Sequence, residues 1–263
     1  MDKGSNVYFI SDLHLGLPTR MDPLEREKLV VRWMEEVRPH ASALYVVGDI
    51  FDYWFEYKYV IPKGFSRFLG KVAEFTDAGI EVHFFTGNHD VWMFDYFPRE
   101  LGVRVHREPL VTEILGKRFY IAHGDGLGPG DRGYKFLKKI FTHPVLQWLY
   151  ARLHPNFATW LAHRWSRSRR DPERGEEGVD GAFLGEDKEK LLLYARELVK
   201  REHYDYLVFG HRHLPIDFLL PDRTRVIVLG DWLEHFSYAV YDGREMVLTQ
   251  YEPPEQPAGN GSS

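Results

Sequence analysis

The chain of 263 residues contains no cysteine. That excludes disulfides, thiolate-ligated zinc and thiol nucleophiles, so any bound metal must be held by nitrogen and oxygen. The opening MDKGSNVYFISDLHLG lacks the apolar core and small-residue cleavage site of a signal peptide. No apolar run approaches the roughly 18 residues of a spanning helix. A cytoplasmic protein is therefore the expectation. There is no internal repeat, and the glycine-rich GDGLGPGDRG lacks the Gly-Lys-Ser/Thr ending of a phosphate-binding P-loop. One stretch lacks acid altogether. From Arg132 to Arg170 there are nine Lys or Arg and no Asp or Glu, within a chain of net charge −5. A basic block in an otherwise acidic protein is a candidate surface for anionic partners.

What remains is an ordinary globular composition, 44% hydrophobic and 28% charged. Apolar runs predict strands at Val7–Ile10, Ala43–Val47, Glu81–Phe85, Phe119–Ala122, Tyr206–Phe209, Val226–Leu229 and Tyr238–Tyr241. Helical spacing predicts helices over roughly 24–37, 65–77 and 188–201, with Gly79 stopping the second. Residues 252–263, EPPEQPAGNGSS, read as a disordered tail. Strands interleaved with helices imply an α/β sheet, in which ligands bind beyond the strand ends.

Five of those strands stop at a polar cluster: Ser11-Asp12-Leu13-His14, Gly48-Asp49, Gly87-Asn88-His89-Asp90, His123, and Gly210-His211-Arg212-His213. If strand geometry persists, Asp12 and His14 point to one side and reach one ion. Asp49 has two carboxylate oxygens and can serve two cations. Asn88 offers an amide oxygen; His123, His211 and His213 offer imidazoles. Two carboxylates, one amide and four imidazoles suit manganese, iron(II) or zinc better than calcium. Two such ions about 3.5–4 Å apart activate water and neutralise a phosphoryl group. Each motif alone is weak; a solvated loop explains Asp-x-His or His-x-His. Their common position at strand ends makes the set point to one catalytic centre.

Together these motifs resemble the calcineurin-like metallophosphoesterases, over about residues 7–242. The resemblance implies an α/β fold, a four-layer α/β/β/α sandwich with a helical insertion. It implies two divalent metal ions, with manganese preferred. Asp12, His14, Asp49 and His213 would hold one, and Asp49, Asn88, His123 and His211 the other. Asp49, Asn88 and His89 would be catalytic, His89 beside the leaving oxygen. Within the family the chain is similar to the branch that cleaves the pyrophosphate of UDP-2,3-diacylglucosamine in lipid A biosynthesis, giving UMP and the sugar 1-phosphate. Three features carry this: Gly48-Asp49-Ile50-Phe51-Asp52-Tyr53-Trp54, the spacing from His123-Gly124-Asp125 to Asp131 and Tyr134, and an insertion before His211. Many members of that branch have Arg where this chain has His89.

The implied organisation is a core of 1–130 and 186–251 with an insertion at 131–185. Residues 134–165 carry aromatics at helical spacing, interrupted near Pro144 and Pro155, which suggests two or three short helices. Such stripes usually pack as core. Interleaved with basic residues, they also suit an interfacial surface or an acyl-chain groove. The resemblance makes Asp131, Tyr134, Arg164, Arg167 and Arg169 substrate contacts, a lipid-linked nucleotide the substrate, and the inner-membrane surface a peripheral partner. It leaves no nucleic-acid partner expected. A nuclease, or a non-catalytic module on the same fold, are the competing readings.

Overall fold

Strand β1 (Asn6–Ile10) alternates its side chains between two apolar layers, and that alternation explains the architecture. Val7 and Phe9 face one core; Tyr8 and Ile10 face another. Strands buried on both faces read as continuous apolar runs rather than alternating ones. The computed structural model describes residues 4–128, 132–169 and 182–252, without the side chains of 132–134 and 165–169.

The first sheet has the order β11 (Met246–Gln250), β10 (Ser237–Tyr241), β1, β2 (Ala41–Val47), β3 (Glu81–Phe85), β4 (Arg104–His106). Strands β1 to β4 run parallel, and β10 and β11 add antiparallel. The second sheet has the order β5 (Leu110–Ile114), β6 (Lys117–Ala122), β7 (Tyr206–Phe209), β9 (Arg225–Leu229), β8 (Pro215–Leu219), with β6, β7 and β9 parallel. Between the sheets lie Phe9, Tyr45, Val47 and Phe85 from one and Phe119, Ile121, Val208 and Ile227 from the other. Phe9 stacks on both Tyr45 and Phe119.

Helices cover the outer faces. Helix α1 (Pro23–Val37) starts at Asp22, whose Oδ1 accepts from Leu24 N, with Pro23 in the first turn. Its buried stripe of Val30, Trp33, Met34 and Val37 packs on Tyr8, Leu44 and Val46 with α2 (Ser66–Asp77) and α3 (Tyr96–Leu101). Gly79 follows α2 with φ +77°. On the other side, Leu191, Leu192 and Ala195 of α7 (Lys190–Val199) pack on Tyr120, Leu207 and Val228. The result is four layers, α/β/β/α.

Among the described residues, three helices come between β6 and α7: α4 (Arg132–Thr142), α5 (Pro144–Tyr150) and α6 (Pro155–Arg169). Pro144 and Pro155 each open a helix, where a missing N–H costs nothing. Their aromatic stripe does not behave as core. Phe136 is 67% exposed, and Trp148 and Trp160 are each 55% exposed. The expected insertion 131–185 includes 131 and 170–181, and the expected tail includes 253–263; those lie outside the described residues. Among the described residues, no helix is long and apolar enough to cross a membrane.

Candidate metal centre

Five loops leave the carboxyl ends of β1, β2, β3, β6 and β7, and backbone hydrogen bonds lace them together. Asp12 N donates to Gly48 O (3.1 Å), His14 N to Asp49 O (3.0 Å), Gly210 N to His123 O (2.8 Å) and Trp232 N to Asp12 O (3.1 Å). Asp12 and His14 do not share a side through strand alternation. Strand β1 ends at Ile10, and both residues have left-handed backbones, φ +55° and +41°. Consecutive hydrogen bonds to the β2 loop, not the pleat, turn both side chains inward.

The donors converge in three overlapping groups: Asp12, His14 and His213; His14, Asp49 and His89; Asp49, His123 and His211. Asp49 Oδ2 lies 3.6 Å from His14 Nε2 and 3.4 Å from His123 Nε2, so one oxygen stands between two imidazoles. His14 Nε2 and His213 Nε2 are 3.3 Å apart, and Asp12 Oδ1 is 3.5 Å from His213 Nε2. Asn88 Oδ1 is 3.4 Å from His123 Nε2. Thus all seven expected ligands, and His89, share one pocket. Gly87 makes this approach feasible, because a Cβ there would lie 2.1 Å from Asp49 Oδ1. At Gly48 a Cβ would lie 2.4 Å from His123 Nδ1.

The chemistry of this set fits cations. Donors bound to one small ion at about 2.0–2.1 Å lie about 3.0–3.4 Å apart, and the contacts above, 3.3 to 3.6 Å, come within a few tenths of an ångström of that spacing. Asp12 Oδ1 is buried and accepts no hydrogen bond among the described residues. Burial outweighs the imidazoles at Asp12 and raises its pKa, whereas at Asp49 the charges of His123, His89 and His14 overcome burial and hold it well below the usual range. Burial opposes a charge on His123, yet Asp49 and Asp12 lift its pKa to about 10. Buried carboxylates that draw protons onto neighbouring imidazoles mark a pocket that stabilises positive charge.

Residues behind the ligands complete the centre. His123 Nδ1 donates to Val47 O (2.8 Å), and His213 Nδ1 lies 3.3 Å from Asp231 Oδ2. Each contact leaves Nε2 facing the pocket. Asp90 receives Gly87 N and Ile50 N, both at 2.7 Å, and so ties the β2 and β3 loops. Asp231 escapes the sequence reading, although Val228-Leu229-Gly230-Asp231 repeats the strand-Gly-Asp form of Val46-Val47-Gly48-Asp49. Of the expected substrate contacts, Asp131 lies outside the described residues. Tyr134, Arg167 and Arg169 lie on α4 and α6 with side chains outside them. Arg164 is exposed on α6, 5.9 Å above the Trp160 ring.

The profile of the calcineurin-like phosphoesterases matches residues 5–215. The chain is 44% identical over 260 residues to a UDP-2,3-diacylglucosamine hydrolase of Porphyromonas gingivalis, covering 95% of this chain and 99% of that one. It is 30% identical over 259 residues to a UDP-2,3-diacylglucosamine hydrolase of Aeromonas salmonicida, covering 97% of each. A dimetal phosphatase structure from Danio rerio aligns with a TM-score of 0.47 and 15% identity, covering 95% of this chain and all of that one. With the profile spanning most of the chain and the relatives nearly all of it, the chain belongs to the calcineurin-like phosphoesterase family of metal-dependent hydrolases.

Proposed function

We propose that this chain hydrolyses the pyrophosphate of UDP-2,3-diacylglucosamine, releasing UMP and 2,3-diacylglucosamine 1-phosphate. The observation that carries the reading is the 44% identity to a hydrolase of that name over 99% of its length. It is supported by a donor set that retains every expected ligand. Asp12, His14, Asp49 and His213 would hold one divalent cation and Asp49, Asn88, His123 and His211 the other, with manganese preferred and iron(II) or zinc also suited. When bound, such a pair supplies positive charge that acidifies water and offsets phosphoryl charge.

The residues have their own tasks. Asp49 would set the spacing of the two sites, because its single carboxylate stands between the two groups of imidazoles. His89 stands edge-on to His14, with ring centroids 4.8 Å apart, and its Nδ1 donates to Asp52 O (3.0 Å). Its Nε2 would face the departing oxygen and, when the ring carries both protons, would donate to it. Water adds to the α-phosphorus; the new P–O bond stays with UMP, and the bridging oxygen leaves with the sugar phosphate.

The finer assignments rest on the family resemblance and on the chemistry of the residue types. Asp131, Tyr134, Arg164, Arg167 and Arg169 would contact glucosamine and phosphates. The exposed rings of Phe136, Trp148 and Trp160, with Arg152 lying 4.1 Å over Trp148, suit acyl chains and a lipid surface. Each acyl methylene buried contributes about 0.8 kcal/mol. The protein would therefore work in the cytoplasm, peripherally on the inner membrane, on a lipid-linked nucleotide rather than a nucleic acid. The test is UMP release by purified protein with manganese and substrate in mixed micelles. Asp49→Ala should abolish it; retained activity in that variant, or cleavage of nucleic acid without UMP release from the lipid, overturns the reading.

A further inference from the structure

The helices between β6 and α7 touch the reaction centre through a histidine to which the sequence assigns no task. His163 lies on α6, and its Nδ1 is 3.4 Å from Asp52 Oδ2. Asp52 is buried, at 4% exposure. Its other carboxylate oxygen is 3.6 Å from His89 Nδ1, and its backbone carbonyl accepts from that same nitrogen at 3.0 Å. One buried carboxylate thus stands between an imidazole of the core and an imidazole of the insertion.

The placement of His163 is fixed by packing. Its ring meets Tyr53 edge to face, with centroids 5.8 Å apart. The Tyr53 hydroxyl is 3.1 Å from that of Tyr150, and Tyr150 donates to Ala158 O, one and a half turns before His163 on α6. Ala158 is fully buried. An exposed histidine beside an exposed acid contributes almost nothing. Here the acid is buried, and it abuts the group that faces the leaving oxygen, so a small change in its orientation reaches the chemistry.

We propose that His163 is a positioning residue for hydrolysis: from the insertion side it steadies Asp52, whose backbone carbonyl takes the His89 Nδ1–H, and so fixes the His89 ring with Nε2 turned into the reaction centre. The proposal rests on the function above, and it makes the seating of the insertion a condition for an aligned His89. Outer-shell partners of this kind typically change activity about 10–100-fold, because misplacing a reacting group by even 1 Å is costly.

Two measurements test it. The first needs no cation and no substrate. In metal-free, ¹⁵N-labelled protein at mildly alkaline pH, long-range ¹⁵N–¹H correlation should show His89 as a single Nδ1–H tautomer. His163→Ala should give a tautomer mixture. His163→Asn, which keeps an N–H at the δ position, should restore the single form, and His163→Gln, which moves it one bond outward, should not. The second is kinetic. His163→Ala should lower kcat about tenfold with KM within about twofold, and the loss should vanish when His89 is already Ala. An unchanged His89 spectrum in His163→Ala, or a His163 effect that persists in full on the His89→Ala background, overturns the proposal. A wild-type protein that releases no UMP sinks the substrate assignment alone, because the spectra still decide the role of His163.

Discussion

Five of the seven donor residues, Asp12, His14, Asp49, His211 and His213, have positive φ. Each costs about 1–2 kcal/mol relative to a right-handed backbone, so the surrounding structure must over-determine them. The hydrogen bonds between loops do that, and the close approach at Gly87 lets them form. Gly87→Ala places a methyl against Asp49 Oδ1 and the Asp49 backbone, neither of which is a free chain end. We expect the variant to fold and to lose manganese binding at the Asp49 sites by at least about tenfold, measured by calorimetric titration. Asp231 acts one step further out. Burial disfavours its charge, but His213 and the N–H groups of Leu233, Glu234 and His235 outweigh burial and hold its pKa low. Asp231→Asn keeps the shape and removes the charge behind His213. Cation affinity at the Asp12–His14–His213 site should fall about 10–100-fold, and because a depressed carboxyl pKa is itself stabilising at neutral pH, the metal-free protein should also melt lower. Unchanged affinity would show that Asp231 only caps the 231–235 turn.

At the scale of elements, β3 and β4 carry a titratable contact away from the centre. His83 Nδ1 is 2.9 Å from His106 Nε2, and the two rings stack. Burial and the neighbouring His106 lower the His83 pKa to about 4, from 6.5 in the unfolded chain. A depressed histidine is neutral in the fold. Its favourable contribution is complete above about pH 6.5 and is lost as pH falls toward about 4, because the unfolded chain binds the proton first. Between about pH 7.5 and 5, metal-free protein should lose about 2 kcal/mol in urea unfolding from this group, and His83→Phe should flatten the dependence by that amount. The same scale shows why some elements were legible. β1, β2, β3, β6, β7 and β9 are covered on both faces, so their sequences are apolar runs and their ends are visible. β4, β5, β8 and β11 carry no such run: Arg104–His106 is three residues long, and Leu110–Ile114, Pro215–Leu219 and Met246–Gln250 mix polar with apolar and are half exposed. Only neighbouring strands make them strands. The ligands were readable because each follows a run. Asp231 was missed despite the same form, and His163 could not be found, because helical spacing does not reveal that one polar position meets a buried acid 111 residues earlier in the chain.

For the whole molecule, two sheets packed face to face bring the ends of β1, β2, β3, β6 and β7 to one rim, and the insertion lies over that rim. Its attachment is specific: Trp92 Nε1 donates to Phe141 O (2.9 Å), Trp92 stacks on Tyr150, and Tyr53 meets Tyr150. One side of the insertion is therefore committed to the loops that carry Asp49 and His89, while Trp148 and Trp160 remain more than half exposed. Two indoles and their apolar neighbours left exposed among the described residues make a surface suited to something other than water. If that surface takes the lipid, its loss should weaken capture of substrate and spare the chemical step. Trp148→Ser with Trp160→Ser should raise the micelle concentration needed for half-maximal UMP release by at least about tenfold, since two rings lose their apolar burial, with kcat held within about threefold. Sedimentation with anionic vesicles should weaken in parallel. If instead kcat collapses and vesicle binding is unchanged, the rings support the fold of the insertion, and the acyl chains must be sought on its other side.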